Sequence, residues 1–185
     1  MTSSAKLDPG RAALVVIDVQ EGFRKAIPDF DAVAAATATM VRGAGEIGVP
    51  IVVTEQYPKG LGATVPEVAA HLPDGLGPLP KTVFSAVGAD GFDLGGREQA
   101  IVCGIETHVC VNQTVLDLLS DGVEVHVVTD AVGSRSAANR ALGLAKAERA
   151  GAWLTSVETA LFELLGEAGG ERFKAVQRLV LELAP

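Results

Sequence analysis

Cys110 sits in the segment Ile105-Glu-Thr-His-Val-Cys110, which joins an apolar run to a helix-like one. With Thr107 as helix cap, the thiol falls in the first turn, where unpaired amides and the positive dipole end favour a thiolate. The competing account is a buried cysteine that fills a small apolar space, and Cys103, inside the apolar run, fits that account better. Asp18 ends another apolar run, Ala13-Leu-Val-Val-Ile-Asp-Val19. A carboxylate desolvated there is prepared to carry a proton for a thiol, although a cap on the following turn would use the same residue. Lys81, between Pro80 and Thr82, would hold such a carboxylate ionised if the fold brought the two together; otherwise it is a solvated loop lysine. Arg135, flanked by Ser134 and Ser136, could bind a substrate oxygen, although such an arginine is more often a surface charge beside a helix cap.

Other motifs carry less. His108 is two residues from Cys110, and residues two apart on a helix face different ways, so a Cys110–His108 dyad is not expected. His71 and His126 have no metal-ligand spacing. Gly43-Ala-Gly-Glu-Ile-Gly48 matches a dinucleotide pattern but follows a helix and precedes a strand, the reverse of what a phosphate loop requires. It reads as a helix stop and a turn, which weakens the case for a doubly wound nucleotide binder.

The elements that must position these residues alternate along the chain. Continuous β-branched runs at 13–19, 51–54, 100–104, 123–129 and 152–156 suit strands buried on both faces. Ala-rich or periodic segments at 31–44, 66–72, 107–119, 136–150, 159–165 and 171–183 suit helices. Residues 55–65, with Pro58, Gly60 and Gly62, read as a loop, and 76–80 is broken by Gly77 and Pro78. Phe173, Val176, Val180 and Leu183 give the last helix one apolar face, which must dock on the body or on another subunit. This alternation predicts an α/β three-layer sandwich, a parallel sheet with helices on both faces, in one domain spanning 1–185. In such sheets the site lies beyond the carboxyl ends of the strands, where Asp18 and Cys110 fall.

Composition sets outer limits. The 185 residues are 48% apolar and 21% charged, which excludes a disordered chain. A formal charge of −8 speaks against a nucleic-acid partner but leaves a small anionic substrate open, with Lys81 and Arg135 able to make a pocket locally positive. No apolar run can span a bilayer, the first ten residues hold no signal core, and two cysteines make no disulfide framework, so a cytoplasmic, reduced protein is expected.

Taken together, Val16-Ile-Asp-Val-Gln-Glu-Gly-Phe23, Pro80-Lys-Thr-Val-Phe-Ser85 and Gly104-Ile-Glu-Thr-His-Val-Cys-Val111 resemble the signature elements of the isochorismatase-like cysteine hydrolase superfamily. The resemblance runs from about Ala13 to Leu183. Thr54-Glu-Gln-Tyr-Pro-Lys-Gly-Leu-Gly62 and Asp130-Ala-Val-Gly-Ser-Arg-Ser136 are most similar to the isochorismatase domain-containing subgroup. It implies a sheet of about six parallel strands, an Asp18–Lys81–Cys110 triad, and a cis peptide at Ile105–Glu106 that turns the Glu106 amide toward that of Cys110 as an oxyanion hole. Gln20, Phe23, Tyr57 and Arg135 are the expected pocket walls. The Asp/His cluster of metal-binding nicotinamidases is not matched after the second strand, so neither metal nor other cofactor is expected. The implied activity is metal-independent cleavage of an amide-like C–N bond of a small molecule through a Cys110 acyl-enzyme, in a homo-oligomer. The alternatives are a vinyl-ether hydrolase and a non-catalytic binding or assembly protein on the same fold.

Overall fold

Ala12–Ile17 (β1) is buried along its whole length, as its unbroken β-branched sequence requires. Each of Leu14, Val15, Val16 and Ile17 is fully removed from water, worth about 1.5–3 kcal/mol apiece. The computed structural model describes residues 6–183, so part of the opening segment read for a signal core, residues 1–5, lies outside the described residues. Phe30–Ile47 (α1) follows β1, and Ile51–Gln56 (β2), Pro58–Leu61 (α2), Pro66–Ala69 (α3) and Leu79–Lys81 (β3) complete the first half. The second half runs Gln99–Ile105 (β4), Asn112–Ser120 (α4), Glu124–Gly133 (β5), Ala137–Ala150 (α5), Trp153–Thr155 (β6), Val157–Leu165 (α6) and Gly170–Leu183 (α7).

The six strands form one parallel sheet in the order β3-β2-β1-β4-β5-β6. The chain builds outward from β1 to β3, then returns to the other side of β1 with β4. The carboxyl ends of β1 and β4 therefore flank the point where the winding reverses, and a crevice forms there. Leu14 and Val16 face a core shared with α1, α6 and α7, while Val15 and Ile17 face a second core with α4. The last helix docks on the body: Val176 is fully buried, Phe173 packs 6.1 Å from Phe162, and Arg42 of α1 pairs with Glu182. Among the described residues no helix is long and apolar enough to cross a membrane.

Several boundaries differ from the sequence expectation, each for a local reason. β2 extends to Gln56, and α2 occupies part of the expected loop, with Pro58 at a first-turn position where no amide is needed. β3 forms despite its proline because it is a three-residue edge strand. β5 continues past Thr129 because Asp130 has a use there, its carboxylate accepting from the Val157 amide at 2.9 Å at the start of α6. The β4–β5 register shifts between Val102 and Gly104, which lets Ile105 pair with Gly133.

At Gly104, β4 lies against the β1 backbone with no room for a side chain. The Gly104 φ is +121°, and a Cβ there would lie 2.0 Å from the Ile17 carbonyl oxygen. Gly104→Ala should therefore cost about 4 kcal/mol or more, from backbone strain and overlap combined. Gly45→Ala, inside α1 with open space at its Cβ, should instead stabilise by about 0.5–1 kcal/mol. Urea unfolding of both variants against wild type checks the contrast.

Candidate active site

The backbone just past β1 is unusual, since Asp18 adopts φ +54°, a left-handed conformation that few non-glycine residues take. Its amide donates to the Thr54 carbonyl at 3.1 Å, and its own carbonyl accepts from the Gln20 amide at 2.8 Å. These bonds fix the carboxylate, which is fully buried. Oδ1 accepts from the Thr54 hydroxyl at 2.8 Å, and Oδ2 accepts from Lys81 Nζ at 2.7 Å. Both side chains of the ion pair are completely shielded from solvent.

Lys81 reaches Asp18 because β3 places it opposite Gln56 in the β2–β3 register. Its ammonium also donates to Gln56 Oε1 at 2.6 Å and to the Phe84 carbonyl at 2.9 Å, with the Val83 carbonyl at 3.3 Å. A buried charge needs this density of partners, because burial without them costs several kcal/mol per ion. Gln56 is held in turn. Its Nε2 donates to the Thr82 carbonyl at 3.0 Å, its amide donates to Gln20 Oε1 at 2.8 Å, and its carbonyl accepts from Gln20 Nε2 at 3.0 Å.

Cys110 approaches from the other side of the switch point. The Ile105–Glu106 peptide is cis, and Thr107–Val111 forms a π-helical turn before α4, with the Val109 and Val111 amides both donating to the Glu106 carbonyl. Thr107 does not cap this turn as expected: its hydroxyl donates to the Gly133 carbonyl at 3.0 Å. The turn is pressed against α5 at Gly143, where a Cβ would lie 2.7 Å from the Thr107 carbonyl oxygen. The Cys110 carbonyl accepts from the Thr114 hydroxyl at 2.7 Å, and that hydroxyl accepts from the Ala86 amide at 2.8 Å. The turn that bears Cys110 is thereby tied to the segment that follows Lys81.

Cys110 Sγ lies 4.0 Å from Gln56 Oε1. Burial pushes its thiol up to about 12, and the Asp18 charge adds to that rise while Lys81 opposes it. This corrects the expectation of a lowered thiol: desolvation first, and the neighbouring Asp18 carboxylate second, raise it. Cys103 is also pushed up to about 12, almost wholly by burial. His108 points toward α5, with Nδ1 3.1 Å from the Ser134 hydroxyl and Nε2 3.3 Å from Asn139 Nδ2, so it is not a partner of Cys110.

A cavity of about 550 Å³ opens onto the sulfur. Phe23, Ala26, Leu61, Phe84 and Val109 form its apolar walls, with Gln56 and Cys110 at its base. Arg135 and Glu106 complete the lining and hold each other: the Arg135 amide and Nε donate to the Glu106 carboxylate at 2.9 to 3.1 Å. Two expected wall residues stand elsewhere. Gln20 is fully buried and spends its amide on backbone groups, including the Gly62 carbonyl at 2.7 Å. Tyr57 is mostly exposed and lines a separate cleft with Pro80 and Lys81. Among the described residues no group of three or more His, Cys, Asp or Glu is placed to hold a metal ion.

Gln56 and Thr54 were absent from the sequence candidates, yet Thr54 donates to Asp18 and Gln56 accepts from Lys81. Both lie in the segment Thr54–Gly62 that carries the family resemblance, but neither residue type marks itself as chemically active, and Gln56 fell in an expected loop.

Comparison with known proteins supplies the context. The isochorismatase domain model matches residues 12–159. Isochorismatase domain-containing protein 2 of Pongo abelii is 43% identical over 186 residues, covering 99% of this chain and 89% of its own. A structure described as MAR1 ribonuclease from Caenorhabditis elegans superposes with a TM-score of 0.91 at 39% identity, over 97% of this chain and 94% of that one. YcaC from Pseudomonas aeruginosa, solved with hexane-2,5-diol and covalent acrylamide, gives 0.87 at 27% identity over 98% and 95%. A crevice at the reversal of a six-stranded parallel sheet, and a match spanning most of the sequence, agree: the chain belongs to the isochorismatase family.

Proposed function

We propose that this protein is a metal-independent cysteine hydrolase that cleaves an amide-like C–N bond of a small molecule, with Asp18, Lys81 and Cys110 as its catalytic residues. The observation that carries this reading is a cavity-facing thiol beside a solvent-free Lys81–Asp18 pair. The resting thiol is neutral, so a base must remove its proton as the substrate arrives. Asp18 is the carboxylate near enough to influence the sulfur. Lys81 fixes that carboxylate through their 2.7 Å ion pair.

The steps follow from those roles. Asp18 takes the thiol proton and Sγ attacks the carbonyl carbon, while the backbone amides of Glu106 and Cys110 receive the oxyanion. The tetrahedral adduct collapses, the C–N bond breaks, and the leaving nitrogen takes the proton from Asp18. A thioester stays on Cys110. Water then attacks the thioester carbon as Asp18 accepts its proton, the C–S bond breaks, and Asp18 returns that proton to Sγ. The products are a carboxylate and an amine. Phosphodiester chemistry, suggested by the name of the Caenorhabditis elegans relative, finds less support, because Lys81 is buried in its pair with Asp18 and the Arg135 charge is already matched by Glu106.

A screen of amides, ureides, carbamates and hydroxamates against wild type and Cys110→Ala tests the reading directly. Hydrolysis should vanish in the alanine variant, and activity that survives it would show that Cys110 is not the nucleophile. In a second experiment, iodoacetamide should label Cys110 far faster than Cys103, and Asp18→Asn should slow Cys110 labelling about 10²-fold or more through loss of the base. Equal, slow labelling of both thiols would favour a binding or assembly role. Stability should also depend on pH through the two thiols. Both titrate higher in the folded chain, at about 12, than the ~8.5 of an unfolded cysteine. Their contribution is full below pH ~8.5 and is lost as pH rises toward 12. Urea unfolding from pH 8 to 11 should show this fall, and Cys103→Ala should reduce its slope.

A further inference from the structure

We infer that the Cys110 cavity selects uncharged amides with an apolar body and turns away those bearing a carboxylate or an ammonium group; the amide part of this statement rests on the hydrolase reading above. The cavity lining includes two ionised side chains, Glu106 and Arg135, bonded to each other through Nε and through the Arg135 amide. Beneath it lie two more, Asp18 and Lys81, bonded at 2.7 Å. Each cation is matched by an anion at contact distance, so the expectation of a locally positive pocket is not met.

A carboxylate entering this space would leave water for walls of Phe23, Ala26, Leu61, Phe84 and Val109. It would find Arg135 already paired through Nε with Glu106 and would itself lie beside the Glu106 carboxylate. An ammonium group would face the Arg135 guanidinium in the same way. Neither has a free counter-ion among the residues lining the cavity, and desolvating a charge without one is costly. A neutral body suffers no such penalty and gains from covering apolar surface, including that of Phe84, which is 51% exposed. The cavity volume of about 550 Å³ suits a small molecule.

Glu106 is the element that makes the selection. Its carboxylate is 7% exposed, whereas the Arg135 side chain is 61% exposed, so the anion is the fixed member and the guanidinium the accessible one. Neutralising Glu106 should leave Arg135 uncompensated at the wall and open the cavity to anions. Removing the Arg135 charge should do the converse and favour cations.

The test uses three N-substituted iodoacetamides of matched length: N-butyl, N-(3-carboxypropyl) and N-(3-aminopropyl). The rate of Cys110 alkylation in the native chain is divided by the rate for the same reagent with urea-unfolded protein. The neutral reagent should exceed both charged ones by about tenfold or more. In Glu106→Gln the anionic-to-neutral ratio should rise, and in Arg135→Gln the cationic-to-neutral ratio should rise. Equal rates for the three reagents in the wild type, or ratios unmoved in both variants, would overturn the inference. The two readings fail separately. Intact charge discrimination without Cys110-dependent amide hydrolysis would strike the hydrolase reading alone. Hydrolysis without discrimination would strike this one alone.

Discussion

The buried ion pair between Lys81 and Asp18 constrains the rest of the site. Two opposite charges with no solvent contact persist only when nearly every lone pair and proton has a partner. Those partners come from four separate stretches: the end of β1 supplies Asp18, β2 supplies Thr54 and Gln56, β3 supplies Lys81, and the segment after β3 supplies the carbonyls of Val83 and Phe84. A slip of one residue in either the β1–β2 or the β2–β3 register would turn one of these side chains to the opposite face and leave a charge stranded. The pair therefore both depends on the sheet alignment and penalises departures from it.

Cys110 is brought to this pair by backbone means. Gly104 lets β4 lie against β1, the turn after β4 is held by Thr107 on Gly133, and Gly143 allows α5 to press on the same turn. The sulfur meets the ion pair through Gln56, whose Oε1 is shared between Lys81 Nζ and the thiol. One half of the site is thus fixed by charge and the other by close backbone packing. Gln56 is where they meet.

Much of this was legible in the sequence because the physics was local. The β-branched runs at 13–19 and 100–104 announced strands buried on both faces, and the alternation of runs announced the layered sheet. Asp18 and Cys110 stood out because polar or reactive residues at the ends of such runs have few ordinary reasons to be there. Other features depended on tertiary partners and left no local trace. Gln56 reads as a loop residue until β3 brings Lys81 beside it. Asp130 reads as the end of a strand until α6 offers its amide. The thiol was expected to be acidified by its helix, yet the outcome rests on how deeply it is buried and on how near Asp18 lies, and neither quantity is encoded in the six residues around it. Gln20 matched a family motif, but its amide serves the backbone of β2 rather than the cavity.

The position of β3 has a consequence for the life of the protein among its own copies. Lys81 must come from a strand at the sheet edge, and an edge strand is a template on which a neighbouring chain can add its own. Here the template is only three residues long, and its central residue is Pro80, which has no amide proton to offer. The strand that delivers the ammonium to the site is thereby made a poor start for intermolecular sheet growth. A proline that weakens local structure protects the crowded molecule from edge-to-edge aggregation.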